Sequence, residues 1–553
     1  MIFSILAYKH IVNYIKDKYS PNEEMLTFFS DDQTDMIFDF AKVEYDQPVK
    51  IVNGHILMRY EVIKEFIDPH IYYDKYRNKV IITTQDKVFK LTNESLEARL
   101  NKKDIHLDAS SREIDGYLYV PIKTFLNIWQ IHVQYLEEND VLIVEKYRSY
   151  QHTAQVNNPD SVIRKGPSIK EGIYLKNVPQ DQLLYVSKTE GDWLVVMTKE
   201  GLIGYIEASN VNTRFEEKEV VIKTEDKKLF LPESVVLAWD YVHTSLVTRV
   251  PYYKDINVVS PTFFTVVDAE GSLASSASIQ YVENAHKRGY KVWPLINNNF
   301  ANKDIISAVL ADSKAREKVI DQLLAYAYIC GFDGINVDFE NLYLSDKDNL
   351  TQFIRELVPL AHEMNLAVSI DVGIPGGSEA YSLCYDHEEL GKAADYVMVM
   401  TYDQYWAGHT SGGSQAQLSW VEINLKKTLE LIKPEKLVLG IPAYTRLWRT
   451  DTSGKVSLHA TLTANGVLNL LEEKQLTPSW EEYRDGYISG QNYIEYNEKG
   501  EIFRAWIEDE MSAELKAQLG AKYKLAGVCV WMMEQTNRAV WEAIADGFYS
   551  YQD

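Results

Sequence analysis

At 553 residues the chain is too long for one ordinary domain and divides, on length alone, into three or so. Its 46% apolar and 25% charged composition is that of a folded globular protein. The net charge of -23 excludes nucleic acid as a partner, because that role needs a basic face, and makes a polyanionic wall polymer an awkward partner unless salt or metal ions screen the repulsion.

Residues 1–35 form an N-terminal segment. It opens on eight mostly apolar residues, Met1 to Tyr8, followed by Lys9 and His10. That run is too short to span a bilayer and lacks a clear cleavage site. It reads as the stump of a removed membrane anchor upstream of the protein, or simply as a first strand or helix. The three cysteines, Cys330, Cys384 and Cys529, are too few and too scattered for a disulfide framework. Cys529 lies in an apolar run and reads as a small core residue.

Residues 36–148 read as short strands with an internal echo. Residues 52–59 precede a helical patch and then the strand 79–83. Residues 115–122 precede a second helical patch and then the strand 140–144. This region resembles the repeat named after the N-terminal domain of copper amine oxidases. No His, Cys and carboxylate cluster with ligand spacing occurs in it, so no copper is expected, and no metal or cofactor elsewhere.

A polar linker, 149–160, leads into a second small unit at 161–214. Its landmarks are Arg164-Lys165-Gly166-Pro167-Ser168, Gly191-Asp192-Trp193 and Gly201-Leu202-Ile203-Gly204-Tyr205. Short β-runs between Gly, Pro and Asp turns predict a small barrel. The pattern resembles bacterial Src-homology-3-like domains, which implies a unit that holds an enzyme against cell-wall glycopeptide. The alternative is a spacer barrel with Trp193 and Tyr205 in its core.

From 233 to the end, apolar strands alternate with amphipathic helices. Strands are predicted at 235–239, 258–265, 291–297, 334–340, 367–372, 396–402, 437–443 and 526–532. Helices are predicted at 276–288, 315–328, 350–364 and 421–432. Eight such repeats over this length predict an α/β fold, a (β/α)8 TIM barrel preceded by two small β-rich domains. The long gap between strands seven and eight holds Trp480, Tyr483, Tyr493, Tyr496 and Trp506, and predicts an inserted subdomain walling one side of a cleft.

The fourth strand, Gly334-Ile335-Asn336-Val337-Asp338-Phe339-Glu340, alternates apolar and polar residues. Its polar side chains are therefore spaced about 7 Å apart on one face. Acids on the inner face of a buried strand need a reason to exist. In TIM barrels the site lies at the C-terminal ends of the strands, where Glu340 sits. The same parity turns Met398, Met400 and Tyr402 inward on strand six, with Asp403 at the rim, and Trp531 inward on strand eight. Strand seven ends near Tyr444 and Arg446. Asp338 close to Glu340 should raise one pKa and leave a proton available near neutral pH. A raised glutamic acid suits a leaving alkoxide, and an indole floor suits a pyranose ring, so the chemistry points to glycoside cleavage. Asp371 on strand five and Asn297 on strand three either line the pocket or satisfy buried polar groups. Asp333, out of phase, reads as a turn cap, and His243 and His286 have no partner spacing.

Asp333-Gly-Ile-Asn336-Val-Asp338-Phe-Glu340 resembles the D-G-x-D-x-D-x-E signature of family 18 glycoside hydrolases. Met400-Thr401-Tyr402-Asp403 resembles that family's M-x-Y-D, and Trp531 its tryptophan on strand eight. The resemblance covers 233–553 and looks most like the bacterial cell-wall and spore-type branch. It implies Glu340 as proton donor and Asp338 as the residue that orients the substrate's 2-acetamido group. Tyr402 and Asp403 would bind that group as it attacks the anomeric carbon, with Trp531 as floor and Met400, Tyr444 and Arg446 as further contacts. Asn336 departs from the signature, where most members have Asp; as a substrate-binding position it puts the pKa of Asp338 in question. The implied function is cleavage of β-linked N-acetylglucosamine polymers, peptidoglycan first, with chitin or an N-glycan core as alternatives. A non-catalytic carbohydrate-binding protein on the same barrel is the alternative of another class. A monomer acting outside the cell or at the cell wall is expected.

Overall fold

The structure, a computed structural model, describes residues 20–147, 150–217 and 231–549. The apolar run at 1–8, read above as an anchor stump or a first element, lies outside them. The chain divides into two compact units, the larger holding Lys227–Asp553 and the smaller most of what precedes it.

The larger unit is a closed barrel of eight parallel strands, β1 (Val235–Asp240), β2 (Val258–Pro261), β3 (Leu295–Asn297), β4 (Gly334–Asp338), β5 (Ala367–Gly373), β6 (Tyr396–Met400), β7 (Leu437–Pro442) and β8 (Gly527–Trp531). β8 pairs with β7 on one side and with β1 on the other, so the ring has no free edge. The predicted second and third strands each occur in two pieces. Phe264–Val266 continues the second and Lys291–Val292 precedes the third, and the ring passes through both. Pro261 and Pro294 fall at the breaks, where a residue without an N–H cannot extend the ladder.

Inward parity fills the barrel floor with Val235, Leu237, Trp293, Leu295, Tyr396, Met398, Val438 and Cys529, all buried. Gly334 admits the Trp293 ring: a Cβ there would lie 2.6 Å from an indole carbon. The helix that feeds β4, Ser313–Cys330, starts with the Asp312 carboxylate accepting from Lys314 N and stops at Gly331, whose φ of 76° closes the last turn. Between β7 and β8 the chain inserts a five-stranded antiparallel sheet and the helix Ala464–Lys474 over a core that includes Leu447, Val467, Ile494 and Phe503.

In the smaller unit the two echoed strands, His55–Arg59 and Tyr117–Pro121, pair with each other antiparallel, with Met58 opposite Val120. Residues 150–217 form a seven-stranded sheet. Most of the stretch expected as a linker is its strand Tyr150–Val156, paired along its whole length with Val211–Glu217. Its polar composition conceals an alternation that buries Ala154 and Val156. The core of this sheet is Leu184, Val186, Leu194, Val196 and Ile206, and parity leaves Trp193 and Tyr205 only partly buried on the other face. Among the described residues no helix is long and apolar enough to cross a membrane.

Candidate active site

A cavity of about 300 Å³ opens at the C-terminal end of the barrel. Four carboxyl groups line it: Asp338 from β4, Glu340 two residues beyond that strand, Asp371 from β5 and Asp403 beyond β6. Trp239, Met400, Tyr402, Tyr444, Arg446 and Trp531 line it as well, with Phe300, Thr461 and Gln535. The insertion thus contributes to the wall through Arg446 and Thr461. Trp239 and Trp531 meet edge to face with ring centroids 5.9 Å apart, which makes the inner wall broad and apolar.

Glu340 lies beyond the last β4 ladder position, so something else must hold it. Asn298 does. Its Oδ1 accepts from Glu340 N at 2.9 Å and its Nδ2 donates to Glu340 O at 2.8 Å, so a side-chain amide stands in for a missing strand partner. Tyr385 Oη donates to Phe339 O at 2.9 Å, bracing the preceding residue. Burial is the main cause that pushes the Glu340 carboxyl up to about 7, and the negative charge of Asp403 adds to it.

Asp338 is raised well above the ordinary aspartate range, first by burial, then by Glu340 and Asp371. Its Oδ1 is buried with no hydrogen-bond partner among the described residues. Asp371 is likewise raised well above its ordinary range, burial again leading. More than one carboxyl is therefore lifted, and desolvation outweighs the mutual repulsion on which the sequence expectation rested.

Asp403 takes a φ of 60° at the rim, accepts from Tyr444 Oη, and pairs with Arg446 Nη2 at 2.7 Å. Arg446 Nη1 also donates to Tyr405 O at 2.8 Å. Burial pushes the Tyr402 phenol well above 10, so it stays a hydrogen-bond donor throughout the neutral range.

Asn336 does not line the cavity. It is fully buried one layer below, and both faces of its amide are occupied. Oδ1 accepts from Trp239 Nε1 at 2.9 Å and Ser260 Oγ at 3.1 Å, while Nδ2 donates to Ser369 Oγ at 3.0 Å and Asp371 Oδ1 at 2.7 Å. Nothing is left to contact a ligand. At the other end of β4, Asp333 bonds Val292 N at 2.9 Å and pairs with Lys291 and His286, each at 2.8 Å; His286 therefore does have a partner.

Asp371, left open between lining the pocket and satisfying a buried polar group, does both. Asn298 was missed because it lies just past β3 in an Asn-Asn-Asn run that carries no periodic signal. Among the described residues no three His, Cys, Asp or Glu side chains gather as a metal-binding group, the 37–144 region included.

Comparison with known proteins agrees with the barrel fold. The model of the glycosyl hydrolases family 18 matches residues 233–536, more than half of the chain, and that of the copper amine oxidase N-terminal domain matches 37–144. The uncharacterized glycosylase YvbX of Bacillus subtilis (strain 168) is 26% identical over 306 residues, 54% of this chain and 86% of YvbX. The cortical fragment-lytic enzyme of Bacillus anthracis is 21% identical over 291 residues, 50% of this chain and 65% of that enzyme. Among solved structures, the Bacillus megaterium spore cortex-lytic enzyme SleL superposes with a TM-score of 0.50 at 17% identity, over 57% of this chain and 74% of SleL, which extends the likeness in fold.

Proposed function

Because the chain belongs to family 18 of the glycosyl hydrolases, we propose that it cleaves β-linked N-acetylglucosamine polymers, peptidoglycan first, by a substrate-assisted, retaining route. The observation that carries this reading is a glutamic acid lifted to about 7 in a cavity shared with Asp338, Tyr402 and two tryptophans. A carboxyl with that value holds a proton near neutral pH and can pass it to the leaving glycosidic oxygen.

Glu340 is the proton donor in this scheme. The substrate's 2-acetamido oxygen attacks the anomeric carbon from the opposite face, the C–O bond to the leaving sugar breaks, and the leaving oxygen takes the Glu340 proton. Asp338 faces the acetamido nitrogen and balances the positive charge of the oxazolinium. The Tyr402 hydroxyl donates to the acetamido oxygen and turns it toward the ring. Water, deprotonated by the Glu340 carboxylate, then opens the oxazolinium with net retention. Trp531 and Trp239 supply an apolar floor for the sugar. Asp403, anchored by Tyr444 and Arg446, sits beside this group and keeps the Glu340 proton in place through its charge.

The names of the similar proteins favour wall peptidoglycan, and with it action outside the cell or at the spore cortex. The test incubates the purified protein with peptidoglycan, chitin oligomers and an N-glycoprotein and reads released reducing ends by mass spectrometry. New reducing-end N-acetylglucosamine from peptidoglycan is expected. Cleavage of chitin or the N-glycan alone would replace the substrate, and binding without cleavage of any of them would turn the reading into a lectin.

A further inference from the structure

Asp371 has no assigned part in the reaction above, yet it is a buried acid on the cavity wall, only 1% exposed. Its surroundings are built. From β4, Asn336 Nδ2 donates to its Oδ1 at 2.7 Å. From β1, the Trp239 indole N–H favours its charged form, as does the Asn336 bond. The other ionisable groups that face it are Asp338 and Glu340 from the β4 side, Tyr385 beyond β5, Tyr402 beyond β6 and Cys529 on β8; none carries a positive charge. Asp338 next to it has the opposite environment, with a buried oxygen that no donor reaches.

Two buried carboxyls in a cavity whose lining cation, Arg446, is already paired with Asp403 cannot both be charged at modest cost. Donors converge on Asp371 and leave Asp338 Oδ1 bare, so their unequal hydrogen bonding decides which one carries the charge. We propose that Asp371 is the proton-holding partner of Asp338: the pair carries one proton and one negative charge, the charge residing on Asp371 in the free enzyme and passing to Asp338 as positive charge develops on the bound acetamido group. The balance is Asp338–COOH with Asp371–COO⁻ becoming Asp338–COO⁻ with Asp371–COOH, and no other reactant is needed. Asn336 is then the neutral spacer that makes this possible. An aspartate there, as in the family signature, would put a third carboxyl 2.7 Å from Asp371 where an amide donor now stands. Asp371 acts through Asp338 and is a positioning residue.

This inference rests on the glycosidase reading, and its test has one arm that does not. In that arm, infrared spectra are taken in a Glu340→Gln background at neutral pH. One protonated-carboxyl band from the pair is expected, and adding Asp371→Asn should shift it, because Asp338, still raised by burial, keeps its proton but loses its charged neighbour. A band left unmoved overturns the proposal. In the kinetic arm, Asp371→Asn should lower kcat about 100-fold with KM nearly unchanged. The exchange Asn336→Asp/Asp371→Asn, which moves the carboxyl to β4, should recover at least about tenfold of that loss. A single variant with kcat within about twofold of the parent, or an exchange no better than the single variant, overturns it too. Asp371→Ser replaces Asp371→Asn in both arms if the latter does not fold. Failure of the parent protein to cleave any glycan would refute the glycosidase reading, and the infrared arm would still decide the pair.

Discussion

Two buried acids in the larger unit, Asp338 and Glu508, are 6% and 4% exposed and live in opposite company. Glu508 Oε2 accepts from Lys516 Nζ at 2.7 Å and Ser512 Oγ at 2.5 Å, and Oε1 accepts from Gln491 Nε2 at 2.7 Å. Asp338 has a bare Oδ1 and two further carboxyls that raise it. Burial pushes both groups up, but the Lys516 charge and its hydrogen bond pull Glu508 back down and nothing does so for Asp338. A buried charge with a cation and a full set of donors serves as a strut between the inserted sheet and the helix Glu510–Lys522 that follows it. A buried acid without donors costs stability, and it is kept where a substrate will supply the missing partner.

The contrast can be broken from the catalytic side first. Glu340→Gln should lower turnover about 10³-fold, since the amide cannot give up a proton, while the melting temperature stays level or rises because a carboxyl penalised by burial is gone. Reducing-end assays with a thermal melt check both halves; a variant that is active, or one that is inactive and strongly destabilised, would put Glu340 on the strut side. Glu508→Gln should do the reverse. It leaves the Lys516 ammonium buried without its anion and should cost about 3–5 kcal/mol in urea denaturation, with turnover per folded molecule nearly unchanged.

A smaller effect is expected at Asn298. Asn298→Leu removes both bonds to the Glu340 backbone, each worth about 1 kcal/mol net, and should lower kcat about tenfold through a misaimed carboxyl, with KM unaffected. A raised KM with intact kcat would mean that Asn298 binds substrate instead.

The smallest expected effect is on pH dependence. Glu340 binds its proton at about 7 in the folded state against an ordinary 4.5, so the folded protein holds more protons than the unfolded chain between those values. The contribution to stability is fully present below about 4.5 and is lost as pH rises through about 7. Urea midpoints should fall across that window and fall less in Glu340→Gln. Turnover should drop on the alkaline side of about 7, where the donor is ionised. An alkaline limb that survives in the residual activity of Glu340→Gln would assign the limb to another group.

Much of this site follows from alternation along single strands. Period 2 places Asp338, Met400, Tyr402 and Trp531 on inward faces because side chains on a closed barrel have only two directions to point. Parity names the face and not the layer, and so Asn336 shares the inward set yet lies beneath the cavity floor. Residues held by non-local contacts escape such reasoning: Asn298 acts on Glu340 from 42 positions away, and Thr461 reaches the cavity from the insertion. The strand Tyr150–Val156 was hidden for another reason, since its Gln, His and Thr side chains face solvent or sheet neighbours and make a true strand look like a tether.

The Asn336 amide also bears on how the barrel forms. Its bonds reach Trp239 on β1 and Ser260 on β2, 97 and 76 positions before it, and Ser369 and Asp371 on β5, 33 and 35 positions after it. No local segment can satisfy it, so the amide stays hydrated until four strands have met, and contacts of such long range slow folding. Once they have met, one side chain cross-braces both halves of the ring directly beneath the acids, so the platform that carries the chemistry is completed late and then held as a single piece.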